Sequence, residues 1–160
     1  MNDPAPREQL DPRARTLWRV TGLLQALFIT APVVAGAILL LWLDRLPRLL
    51  VIGPAALVVA AMAFGVWPYP DLLWRQWRYQ IGETEVQVQH GWWTVTRTII
   101  PIARIQHVDT RHDPFQRAFG LATVVLYTAA GSNEIPALAH AVAAAVRDRI
   151  AALAHLADDV

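Results

Sequence analysis

The sequence has no cysteine, no lysine and a single serine, Ser132. Without cysteine there are no disulfides, thiolate nucleophiles or Cys-based metal sites. Without lysine there is no Schiff-base amine and no P-loop lysine. Ser132 follows Gly131 outside the flanking pattern of a nucleophile elbow. No Gly-rich phosphate loop, paired-carboxylate site or nucleophile with an adjacent base can be found. These absences point away from an enzyme and away from any cofactor or small-molecule substrate. Charge is sparse as well. All 14 basic residues are Arg and the formal net charge is +1. Residues 79–160 carry six Arg against eight acids, a net of −2. That stretch lacks the concentrated basic face that nucleic acid requires.

What the chain has is apolar length. Hydrophobic residues make up 55% of it, more than the usual globular share. Val20 to Leu43 is a run of 24 residues without formal charge, and Leu49 to Trp67 adds 19 more. As helices these would be roughly 36 and 28 Å long, against a hydrocarbon core of about 30 Å. Only Asp44-Arg45-Leu46-Pro47-Arg48 lies between them, enough to reverse the chain, so the two spans should form an antiparallel hairpin. Trp18, Trp42 and Trp67 sit at predicted helix ends, with Trp74 and Trp77 just beyond, where the headgroup zone suits an indole. Pro32 and Pro54 lie inside the spans, where membrane helices tolerate them. Gly22/Ala26, Ala56/Ala60 and Ala61/Gly65 are small residues spaced for close helix approach. Arg7, Arg13, Arg15 and Arg19 precede the first span, Arg75 and Arg78 follow the second, and Arg45 and Arg48 hold the tip. Six against two places both termini in the cytoplasm of a multi-pass plasma-membrane protein. A cleaved signal peptide and a pair of buried soluble helices are the competing readings, disfavoured by span length and number.

Past Pro68-Tyr69-Pro70, residues 68–78 read as an interfacial linker, and the hydrophobic period then changes. Glu85 to Gln89 alternates as a strand, His90-Gly91 turns, and Trp92 to Ile100 reads as a partner strand closed by Pro101. Ile105 to Thr110 and Ala122 to Thr128 are further strands, and Gly131-Ser132-Asn133 is a turn into Glu134-Ile135. Asp113 as N-cap, Pro114 at N1 and Gly120 at C′ bracket a short helix whose Phe115 and Phe119 are expected in the core. Leu138 to Leu156 is an amphipathic helix with Val142, Val146, Ile150 and Leu153 as its stripe. The expected fold is α+β. Residues 1–19 form an N-terminal segment, 20–67 a transmembrane hairpin, and 79–157 a small antiparallel sheet capped by a C-terminal helix.

Two motifs stand out: Pro101-Ile102-Ala103-Arg104-Ile105-Gln106-His107-Val108, and Pro114-Phe115-Gln116-Arg117-Ala118-Phe119-Gly120-Leu121-Ala122, followed by a strand ending at Thr128-Ala129-Ala130-Gly131. Their order and spacing resemble the YdbS-like family of bacterial membrane proteins, whose soluble part is a bacterial pleckstrin-homology-like (PH-like) domain. The preceding hairpin fits the same family. The resemblance implies a PH-like sheet closed by a helix, no catalytic activity, and association with another membrane protein. That partner is either a larger relative carrying repeated PH-like domains or a second copy of this chain.

Candidate interaction residues follow from both arguments. Arg104, Gln106 and Arg117 belong to the motifs. For both Arg a structural role, bound to strand-end carbonyls or to Asp109, is favoured over a partner-facing one. Gln106 is read as a part-buried amide bonded to a nearby loop. Trp92 and Trp93 adjoin on a predicted strand, so one should be buried and the other exposed to bilayer or partner. His107 and Asp109 share a strand face near His112 and Asp113, but their spacing matches no metal motif, and a polar network is the favoured reading. The expected function is a membrane-anchored interaction module, a subunit or scaffold of an envelope complex. The alternatives are a lipid-headgroup-binding domain on an anchor and an accessory subunit of a transporter. Net −2 weighs against the former, and the lack of charged groups within the spans against a transport pathway.

Overall fold

The computed structural model describes residues 6–44 and 46–158, so Arg45 lies outside the described residues. The chain forms two compact units, one within Met1–Leu17 and Leu72–Val160, the other within Trp18–Asp71.

The second unit is the apolar one. It is built on α1 (Arg13–Trp42) and α2 (Arg48–Val66), both long and apolar enough to cross a membrane. Only 6% of each apolar window is buried, so these are not core helices of a soluble fold. Phe28, Leu49 and Leu57 expose most of their side chains, as do Trp42 and Trp67 at the helix ends. The helices run antiparallel. Gly22 faces the Gly65 carbonyl and Val66, where an added Cβ would sit 3.8 Å from either, and Leu40 shares an apolar hollow with Leu50 at the other end. Thr30 turns its hydroxyl back onto the Ala26 carbonyl at 2.7 Å, so no polar atom of that side chain is left to the hydrocarbon. Arg19 pairs with Asp71 at 2.5 Å, with its guanidinium near the Trp67 ring.

The first unit carries two three-stranded antiparallel sheets, β1 (Arg78–Ile81), β2 (Glu85–His90), β3 (Thr96–Pro101), and β4 (Ile105–Arg111), β5 (Leu121–Thr128), β6 (Gly131–Ala139). A 3-10 turn, Ile102–Arg104, joins the sheets. α4 (Pro114–Ala118) links β4 to β5, and α5 (His140–Asp158) packs on the 3-10 turn and on β4, β5 and β6. Six consecutive residues of β5, Leu121 to Leu126, are buried, which explains its nearly unbroken apolar sequence: both faces are covered. Together the apolar helices, the two sheets and the closing helix make the expected α+β, PH-like fold.

Several elements differ from the sequence reading, each for a local reason. α1 starts at Arg13, because the Asp11 carboxylate accepts the Arg13 amide at 2.8 Å and Pro12 suits a helix start. Residues before it do not stand apart: Glu8 pairs with Tyr79 as a bridge on the free edge of β1 and Leu10 is buried, as are Ala14 and Leu17 in the first turns of α1. The linker is helical, since α3 (Pro68–Gln76) places both prolines in its first turn, where their missing N–H groups cost no hydrogen bond. β1 was too short to announce itself. β3 begins at Thr96 rather than Trp92, because Gly91 turns at φ +115° with the Thr94 carbonyl folded against it. β6 starts at Gly131, and the turn falls on Ala129-Ala130. The stripe of α5 is centred on Ala143, Val146 and Ile150, leaving Val142 exposed.

α4 has the expected cap. Asp113 accepts the Gln116 amide at 2.7 Å, and Gly120 follows at φ +68°. It does not plug the core, however. Phe115 is exposed and Phe119 only half-buried, because a single turn tied to the sheet through Gln116 and Thr123 (2.9 Å) lies on the surface.

Candidate interaction surface

β3 has a paired edge toward β2 and, among the described residues, no strand on its other side. There the chain crosses to β4 through the 3-10 turn, and the β5–β6 turn rises opposite. The result is an open groove of about 650 Å³ between Thr98–Pro101, Ala103–Gln106, Thr128–Ala130 and Asn133. Among the described residues Arg104 is the one charged member of its lining, and Gln106 is beside it.

The motif residues are on the surface. Arg104, Gln106 and Arg117 are all exposed, and among the described residues none of the three side chains makes a hydrogen bond or ion pair. This corrects the expectation that the two guanidiniums serve strand-end carbonyls or Asp109, and that Gln106 is part-buried. The 3-10 turn directs Arg104 and Gln106 into the groove by burying Ile102 and Ile105 instead. Arg117 stands on α4, so the structure brings Arg104 and Gln106 together in the groove and leaves Arg117 outside its lining.

The tryptophans are corrected too. Trp92 and Trp93 occupy the β2–β3 turn, not a strand, so strand alternation does not apply to them. Neither is buried: Trp92 is 43% and Trp93 84% exposed, with the rings packed edge to face at 5.8 Å.

His107 and Asp109 belong to a polar network on one face of the second sheet. His107 stacks on Tyr127 at 4.2 Å and approaches Asp109 at 3.9 Å. Arg111 donates to the Tyr127 hydroxyl at 3.0 Å and lies 3.8 Å from Glu134. His112 lies instead against the ring of His140. Among the described residues no three His, Asp or Glu side chains gather as metal ligands would.

Two further contacts escaped the sequence reading. The Trp77 ring stacks on His90 at 5.3 Å, and the Trp74 indole donates to the carbonyls of Leu10 and Asp11 at 3.1 and 3.2 Å. Composition gives no signal for either, since both join segments far apart in sequence. Tyr79 is buried, which raises the pKa of its hydroxyl, and the Glu8 carboxylate beside it raises it further.

A PH-like domain with a recognisable motif surface, attached to apolar helices exposed along their length, defines a membrane-anchored domain. The chain belongs to the bacterial PH domain family, whose pattern matches residues 21–154 and so takes in α2 and most of α1. It is 34% identical, over 96% of each chain, to the UPF0699 transmembrane protein YdbS of Bacillus subtilis (strain 168). No solved structure matches it.

Proposed function

We propose that this protein is a non-catalytic interaction module: a subunit or scaffold that binds another membrane protein and holds it at the bacterial plasma membrane. The observation that carries the reading is the state of its motif residues. Arg104, Gln106 and Arg117 belong to the most recognisable part of the sequence, yet they are exposed, and among the described residues their side chains spend none of their hydrogen-bonding capacity on the fold. Arg side chains with five N–H donors each, and a Gln that both donates and accepts, suit a partner's carboxylates and carbonyls. The partner is a larger membrane protein with repeated domains of this kind, or a second copy of this chain. Both helices cross the bilayer in this reading, with both termini in the cytoplasm, as the Arg asymmetry favours. The net −2 of residues 79–160 favours a protein partner over anionic headgroups as the ligand of this face.

A photo-crosslinking residue at Gln106, introduced into the full chain in native membranes, tests it. The expected result is one discrete adduct with a membrane protein, lost or weakened several-fold by Arg104→Ala while the melting temperature is unchanged. Crosslinking to lipid alone, or adducts indifferent to Arg104, would contradict it.

A further inference from the structure

We infer that the β2–β3 turn is a second membrane contact, in which Trp92 and Trp93 seat in the headgroup layer of the bilayer that the chain's own apolar helices enter. This inference does not depend on the proposed protein partner, and a different face of the domain carries it.

Gly91 to Thr96 is six residues without a charge, and it presents two exposed indoles and a half-exposed Val95. An indole couples a large apolar ring to one N–H donor, a combination that finds its lowest free energy where hydrocarbon meets wet headgroups. A bilayer accepts such a tip without a matching pocket. The two rings, set at 64° to each other, offer edges and faces rather than one flat plane for a protein to pack on.

Topology then places the tip. β1 pairs antiparallel with β2, with Arg78 opposite Gln89. The β2–β3 turn is therefore at the end of the sheet where the chain enters it. Trp77, just before β1, stacks on His90, just before the turn. Trp77 comes ten residues after Trp67, at the end of α2. Two rungs behind the tip stands a charge of the right sign: Arg78 is paired opposite Gln89 with its guanidinium on the Trp77 carbonyl at 2.7 Å, at the same end of the sheet as the turn, where anionic headgroups are its natural counter-charge. For a chain already held at the membrane, even a weak insertion is populated, because the tip meets lipid at high effective concentration.

The absence of cysteine gives a clean background for labelling. Thr94→Cys puts a fluorescent label in the turn, and Glu83→Cys puts one in the β1–β2 turn, at the far end of the same sheet and about 20 Å away along β2. The full chain is placed in nanodiscs of phosphatidylcholine and phosphatidylglycerol, part of the lipid carrying a nitroxide near the headgroup. The label at 94 is expected to be quenched several-fold more by the nitroxide lipid than the label at 83, and to be shielded from aqueous iodide. Trp93→Ser, at a residue too exposed to serve the fold, is expected to bring quenching at 94 down to the level at 83, and Val95→Glu to do the same by adding a charge. Equal iodide access at both positions would overturn the inference. So would shielding at 94 without lipid quenching, which would mean protein covers the tip, and so would quenching that neither variant reduces.

Discussion

The Glu8 and Tyr79 backbones form a two-way bridge: the Tyr79 amide donates to the Glu8 carbonyl at 2.9 Å, and the Glu8 amide to the Tyr79 carbonyl at 3.0 Å. The segment ahead of the first apolar helix thereby covers the free edge of β1. It also sets the Glu8 carboxylate beside a buried phenol whose pKa is already raised by desolvation.

That arrangement predicts alkaline sensitivity. The folded state holds the Tyr79 proton more tightly than the unfolded chain does, so its contribution is complete below the ordinary tyrosine range of about 10 and declines as pH rises beyond it. With no lysine or cysteine in the chain, few other side chains titrate there. Thermal melts of the full chain in mild detergent should show stability falling above about pH 10. Tyr79→Phe should flatten that decline, and an unchanged slope would place its source elsewhere.

Gly91→Ala should destabilise the domain by about 1–3 kcal/mol, since φ +115° strains any L side chain and the new Cβ would collide with the Thr94 carbonyl. A denaturant midpoint equal to that of the natural chain would mean the turn relaxes freely.

Core and motif helix should separate in a mutant series. Ile135→Ala, at a fully buried position in β6, is expected to cost about 2–5 kcal/mol. Phe115→Ala, at an exposed position on α4, should stay within about 0.5 kcal/mol of the natural chain. A large loss at Phe115 would show that the ring serves folding after all.

Reporter fusions at the C-terminal end of the chain examine the proposed topology. A reporter active only in the cytoplasm should work there, as the arginine distribution favours. Activity of a periplasm-only reporter would invert the assignment.

The legible parts of the fold were those with a strong local signal. Two long uncharged runs gave the apolar helices, and Asp113, Pro114 and Gly120 gave α4 and its cap, because each of those residues acts on its own backbone. The Gly22–Gly65 approach matched small residues already noted at both positions. What stayed hidden depends on distant partners. Glu8 gives no sign of being a strand residue until Tyr79 is beside it, and the turn at Gly91 displaced a strand that the Thr, Val and Trp content of residues 92–100 had suggested. In the candidate site, the motif singled out Arg104, Gln106 and Arg117 by their order and spacing. Their exposure was not legible, because an Arg buried against carbonyls and an Arg turned to solvent have the same sequence.

The central claim, that the chain works by binding another membrane protein, meets its most direct test in the mass of the full chain extracted from native membranes into mild detergent and measured with the detergent contribution removed. The account predicts a particle heavier than one 17.8 kDa chain, either a multiple of that mass or a complex with a second membrane protein, reduced toward 17.8 kDa by Arg104→Ala with Arg117→Ala. A strict 17.8 kDa monomer from native membranes, with nothing copurifying, would contradict it.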